Sequence, residues 1–515
     1  MVRLPVSTRG LRLPRWLVLF LVGILSISLA LGSEVPAFAE PTTPVPSPSE
    51  EPVSPAPEKP AVGDSDGDGV WDRPDTVSAA VTAREAGAPV EDLSQRTETT
   101  RVVVDPAGVF SEESYGAPMW VQDAEGAWAD VDYTLAPLAG GGYAPKAAST
   151  DLVIGGGKQE FARLTLPDGS QTVWSWPEVL PEPTVDGPVA TFPVGDGVDL
   201  VVIATARGVA TRIHVNSPKA VVPEFRVMVR TVGADLDYTE DGRLVMVDEA
   251  GETVAAVPTL AAWDGRLDEA GDPVEVVRVE ASVERVAAKG DRADHEVTLT
   301  VPAQLVEDPE VVYPIVIDPD MGPLAPLDDT WIQDSVTWIP NLPYRLRVGA
   351  ASDHATNTAA ASLLRWKPQV MRNRTILSAE AGFFQYWSAS CSAKTVEVHP
   401  VTSDWDQTTT WATRPSVSTS TGTSTSFSTN IGASGCTPAG GFVKANVTAM
   451  VQAWADGADH GGFENHGLRL NVPTANNTNT TFERRLCSVD YDPGHTTCDR
   501  SSRTPYLKFT YTNNP

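Results

Sequence analysis

EFRVMVRTV (residues 224–232) sets Phe225, Val227, Val229 and Thr231 on one side of an extended chain, with Glu224, Arg226 and Arg230 on the other. Side chains of a strand point alternately to its two faces, so this alternation predicts a half-buried β-strand. Similar short runs recur: RVVV (101–104), PMWVQD (118–123), TVWSWP (172–177), DLVVIAT (199–205), RLVMVD (243–248), EVVRVEASVERV (275–286), HEVTLTVP (295–302) and VVYPIVIDPD (311–320). Asp-Gly, Gly-Gly and Pro turns separate them, the signature of antiparallel sheet. Residues 96–320 therefore read as an acidic all-β region, large enough for one big sandwich or two smaller ones.

After MGPLAPL (321–327) a second β region runs to Tyr511, with strands such as DDTWIQDS (328–335), ASLLRWK (361–367), GFFQYWS (382–388), HGLRLNV (466–472) and PYLKFTYT (505–512). One helix interrupts it: VTAMVQAWADG (447–457) puts Val447, Met450, Val451 and Trp454 on one face, closed by Gly457. The fold class expected is all-β: one large antiparallel domain, then a jelly-roll-like β-sandwich over 321–515. Cys391, Cys436, Cys487 and Cys498 all lie in this second region. An even count in an exported chain points to two disulfides, and without a CxxC pair zinc fits less well. Three connectivities are open, of which Cys391–Cys436 with Cys487–Cys498 joins neighbours in sequence.

The first 39 residues have the form of a secretion signal. Arg3, Arg9, Arg12 and Arg15 precede the apolar run Trp16–Leu31 and an Ala37-Phe38-Ala39 cleavage box. That run is shorter than the roughly 20 residues that span a bilayer. Residues 40–63 carry eight prolines and few large apolar groups, so they read as a disordered spacer. Residues 64–95 follow with an acidic segment and one short helix within Thr76–Val90. The expected location is secreted or extracellular, in association with the cell surface in one reading.

Without the signal the chain carries a net charge of −32, all of it within 40–326, while 327–515 is neutral. Phosphate binding needs a basic stripe, so the reading is no nucleic-acid partner and no anionic membrane surface. No transmembrane segment is expected once the signal is removed.

The second region resembles the DNRLRE family of secreted β-sandwich domains, which is related to carbohydrate-binding modules. The resemblance covers roughly Leu327–Tyr511. It rests on DDTWI (328–332), ASLLRW (361–366), Trp405 and Trp411 in SDWDQTTTWATRP, NVTAMVQAWADG (446–457), NHGLRL (465–470), FERR (482–485) and PYLKFTY (505–511). Two insertions, SASCSAKT and LCSVDYDPGHTTCDR, depart from the pattern and hold three of the four cysteines. Upstream, DRPDTVSAAVTAREAGAPVEDLSQRTETT (72–100) and VVYPIVIDPD are similar to the N-terminal portions of secreted RHS and polymorphic-toxin proteins, in which such β domains precede a DNRLRE domain. The 515 residues then read either as a whole protein or as the front of a longer architecture.

DSDGDGVWDRPD (64–75) spaces Asp64, Asp66, Asp68, Asp72 and Asp75 as DxDxDGxxDxxD, a pattern similar to the thrombospondin type-3 calcium repeat. Calcium takes six to eight oxygen ligands, which alternating carboxylates around a glycine turn supply. The rival reading is an acidic hinge without a metal. For sugar recognition, flat rings that stack on a pyranose are the requirement, and Tyr344, Trp387, Trp405 and Trp411 are the candidates, packing being the rival role of each. No catalytic residue or organic cofactor is indicated: GxSxG, HExxH and Walker loops are missing. The expected function is a non-enzymatic binding or structural protein, recognising polysaccharide or forming the front of a toxin-delivery system. A glycan-processing enzyme with a carboxylate pair in 96–320 is the alternative.

Overall fold

The computed structural model describes residue 63 and residues 68–513, except 166–168, 207, 239–243, 249–250, 252, 257–259, 320–328, 335–341, 343, 352–357, 369–371, 407–408, 421, 433–435, 437, 494 and 500. The signal, the proline-rich run, Asp64, Asp66 and the 321–327 joint thus lie outside the described residues. Among those described, no helix is long and apolar enough to cross a membrane.

The fold is all-β, built as two bodies. In the first, an eight-stranded and a seven-stranded sheet face one another across a single core. Phe161, Leu164 and Trp174 come from one sheet, and Phe192, Leu200, Ile213 and Ile317 from the other. The buried residues of the two sheets form one continuous cluster. The strand Glu224–Val232 lies inside the eight-stranded sheet, between Gln171–Ser175 and Arg292–Thr300. Phe225, Val227, Val229 and Thr231 are its buried residues, as the alternation requires.

The second body has one fourteen-stranded sheet whose two ends fold over a common core, joined through the strand Arg345–Ala351. Phe383, Leu507 and Phe509 meet Leu364, Val398, Leu468 and Leu470 in that core. The helix Thr448–Asp456 closes it with Met450, Val451 and Trp454, and Gly457 at φ 65° ends the helix. This sheet also takes in the N-terminal segment. Thr100–Val104 pairs with Phe110–Tyr115, and Phe110–Tyr115 pairs with Tyr506–Asn513, with Phe110 opposite Tyr511. Upstream, the parallel strands Trp71–Arg73 and Val90–Asp92 are linked by the helix Thr76–Ala86, whose Ala79 and Ala83 pack on the same core.

Sheet membership therefore cuts across the boundary expected at residue 96. Strands up to Tyr115 belong with 329–513, and the acidic sandwich is an insertion between Tyr115 and Asp329. Both disulfides pair neighbours in sequence, Cys391–Cys436 and Cys487–Cys498.

Candidate functional site

Residues 68–75 of the acidic stretch are built into the second body by ordinary structural bonds. Asp75 caps the helix Thr76–Ala86: its Oδ1 accepts from the amides of Val77 at 3.0 Å and Ser78 at 2.9 Å. Those bonds hold its carboxyl below the usual range. Asp68 pairs with Arg101, and the same guanidinium reaches the buried Glu91 at 3.0 Å. An arginine thus supplies positive charge beside Asp68. Asp72 is buried, its amide bonded to the Gly63 carbonyl at 2.8 Å. Among the described residues no group of three His, Cys, Asp or Glu side chains is placed to hold a metal ion, and Asp64 and Asp66 fall outside them. Replacing an N-cap carboxylate by alanine costs about 0.5–2 kcal/mol. Asp75→Ala is expected to lower the unfolding temperature by the same amount with and without millimolar calcium, read by thermal unfolding in both buffers.

Of the aromatic candidates, Tyr344, Trp387 and Trp405 are buried, the packing role that was the rival reading of each. Trp405 is buried against Ile332, Leu363 and Val401, donates Nε1–H to the His466 carbonyl at 2.8 Å, and has Arg365 5.1 Å from its ring centre. Tyr344 is buried and stacks on His495 with ring centres 4.3 Å apart. Trp387 is buried too, its Nε1–H donated to Glu269 at 3.1 Å and Arg485 4.3 Å from the ring centre. At 4% to 8% exposure these three rings present little surface to a sugar. Trp411 alone of the four is only partly buried, and Arg414 stands 4.4 Å from its centre.

Two of these rings belong to a cluster that local sequence reading missed, the seam where the bodies meet. From the first body comes the turn Asp268–Asp272, closed by the Asp268 amide on the Asp272 carbonyl at 2.8 Å. From the second come Arg345, Arg347, Tyr386, Glu483 and Arg485. Arg485 Nη1 lies 2.5 Å from Asp272 and 2.6 Å from Asp268, and its Nε lies 3.3 Å from Glu483. Arg345 stands 3.4 Å from Asp272, Arg347 pairs with Glu483, and Tyr386 donates its hydroxyl to Asp272 at 2.9 Å. Three guanidinium groups thus face three carboxylates, a balance that buried charge demands.

His495 completes the cluster. Its Nδ1 accepts from the amides of Thr497 at 3.1 Å and Cys498 at 2.8 Å, so the remaining proton sits on Nε2, 3.4 Å from Asp272. Burial alone raises the Asp272 carboxyl, but Arg345, His495 and Arg485 outweigh it and hold it well below the usual range. Burial and the Asp272 charge push the Tyr344 and Tyr386 hydroxyls up.

The seam interlocks in both directions. The chain between Cys487 and Cys498 leaves the second body and enters the first. Val489 joins the first body's core, Tyr491 packs against it with its ring 6.0 Å from Tyr133, and Asp492 takes a forked bond from Arg212 at 2.5 and 3.2 Å. Its base is pinned by Asp329, which accepts from the Ser488 hydroxyl and the Val489 amide, each at 2.8 Å. Two glycines let the chains close up: a Cβ on Gly116 would stand 2.2 Å from Val489 Cγ1, and one on Gly271 2.8 Å from Thr496 Oγ1.

Away from the seam, a shallow cleft of about 260 Å³ in the first body is lined by Asp235, Asp248, Asp291, Arg285 and Arg292. Asp235 is bonded to Arg285 at 3.0 Å and to His295 Nε2 at 2.6 Å. His295 is buried and does not line the cleft, so the contact anchors Asp235 in the cleft wall.

No family model matches the chain. Over 290 residues it is 26% identical to tRNA nuclease WapA of Bacillus subtilis, an alignment that covers 53% of this chain and 11% of that protein. Identity and coverage are the same for the tRNA(Glu)-specific nuclease WapA of Bacillus subtilis subsp. natto and the tRNA3(Ser)-specific nuclease WapA of Bacillus spizizenii. The chain spans about a tenth of the length of these relatives.

Proposed function

We propose that this chain is an exported, non-enzymatic β module of an RHS/toxin-type architecture, which attaches to or recognises the cell surface, cell-wall polysaccharide included. The observation that carries the reading is the similarity to one tenth of each of three tRNA nucleases, proteins long enough to hold much besides the aligned part. Two features of this chain support it. Its richest cluster of ionisable groups is buried and balanced, an arrangement that fastens two bodies together and offers no reacting atom to solvent. The charge of −32 over 40–326 repels a phosphate backbone, which speaks against this segment being the part that handles tRNA.

The test uses the full chain with its disulfides intact. It is expected to leave tRNA uncut and to be retained on insoluble cell-wall polysaccharide without releasing sugar. Cleavage of tRNA, or release of reducing sugar, would sink the non-enzymatic reading, and lack of retention would remove the polysaccharide partner.

A further inference from the structure

We propose that the Cys487–Cys498 loop is a covalently closed latch between the two bodies, so that reductive opening of this one bond undocks the loop and loosens the seam that Arg345 and Arg485 also hold through Asp272, leaving each body folded. The inference goes beyond the proposed function and rests on where the loop lies. All its docking groups, Val489, Tyr491, Asp492 and His495, fall between the two cysteines, and each touches the first body: its core, Tyr133, Arg212 and Asp272. Both cysteines are buried at the base of the loop, in a cluster where Leu342, Tyr344, Tyr386 and Trp387 of the second body meet Ala270 of the first. An eleven-residue separation between them sharply limits the conformations open to the undocked loop. Opening the bond restores that freedom, and docking must then order a loose chain at full entropic cost. Cys391–Cys436 joins segments of the second body alone, beside Gly432 and Ser388. It makes an internal control.

Placement also sets when the latch can be opened. Cys487 and Cys498 are almost wholly covered, so an incoming thiolate reaches them only after the seam parts. The step is a thiol–disulfide exchange with an external dithiol. One thiolate attacks, the S–S bond breaks, and a second exchange closes the reductant's own disulfide. Two electrons and two protons pass to Cys487 and Cys498.

The experiment compares full-length Cys487→Ser/Cys498→Ser with Cys391→Ser/Cys436→Ser, by calorimetry and by amide hydrogen exchange. The first is expected to unfold in two separated transitions, with faster exchange confined to 267–273 and 488–497; the second keeps the seam amides protected. Full protection of the seam in Cys487→Ser/Cys498→Ser would overturn the proposal, because the loop would then dock without the bond. Loss of protection throughout both bodies would overturn it as well, since the bond would be a general stabiliser. A second arm keeps the bond: Tyr491→Ala is expected to speed dithiol reduction of Cys487–Cys498 several-fold, with Cys391–Cys436 unchanged, as read by alkylation and mass spectrometry. Equal rates in wild type and Tyr491→Ala would refute the dependence on seam opening.

Discussion

Expressed alone, residues 321–515 are expected to remain unfolded, although by sequence resemblance they look like a self-contained domain. The strand Tyr506–Asn513 is paired along one side by Phe110–Tyr115, and Val90, Val102, Val104 and Phe110 are buried in the core it helps to form. Burying a side chain of this size is worth about 1.5–3 kcal/mol, so these four contribute roughly 6–12 kcal/mol. A domain's whole net stability is about 5–15 kcal/mol, which leaves little or nothing after the loss. The orphaned strand would also present an unpaired edge and promote aggregation. Fusing residues 64–115 to 321–515 through a flexible linker in place of the acidic sandwich is expected to restore cooperative unfolding. Circular dichroism and urea unfolding of the two chains decide it. A cooperative transition in 321–515 alone would show that the N-terminal strands are an accessory.

Asp272→Ala is the second large effect. The carboxylate is fully buried among Arg345, Arg485, Tyr386 and His495. Removing one partner of a buried pair leaves uncompensated charge and costs roughly 3–5 kcal/mol, against about 0.2–1 kcal/mol for an exposed pair. Urea unfolding at neutral pH measures it, and a loss under about 1 kcal/mol would mean that water reaches the seam. The acid side gives a check with a definite sign. Because the folded carboxyl titrates well below its unfolded value of about 3.9, its contribution is complete above about pH 4 and fades as pH falls toward the folded pKa. The stability gap between wild type and Asp272→Asn is therefore expected to be widest near neutrality and to narrow progressively below about pH 4.

What was legible in the sequence shares one property, locality. The alternation in 224–232 predicted which residues are buried because a strand's two faces are set by its own backbone. Met450, Val451 and Trp454 lie on one side of the helix Thr448–Asp456 for the same reason. The favoured cysteine pairing also joined neighbours, and the structure forms it.

The features that local patterns leave open depend on partners far away in the chain. Asp268, Asp272 and Arg485 are far apart in sequence, and their mutual neutralisation exists only where the bodies close on them. Trp387, Trp405 and Tyr344 are visible in sequence as rings, but whether a ring is free is decided by what covers it. In the same way Asp75, the last carboxylate of DSDGDGVWDRPD, is seen to cap a helix only in the structure. Glu113 and Lys508 are ion-paired across 395 residues, in adjacent strands that no local pattern connects.

By itself, then, the sequence determined that the chain is all-β, where its one long amphipathic helix in the second region lies, and that its cysteines are bonded. Only the tertiary structure decided that the acidic sandwich is an insertion, that strands up to Tyr115 complete the C-terminal body, and that the loop between Cys487 and Cys498 packs on the sandwich. A strand's faces follow from its own residues. Its neighbour, and the cost of burying a charge beside it, follow from a contact that exists only once the chain has folded.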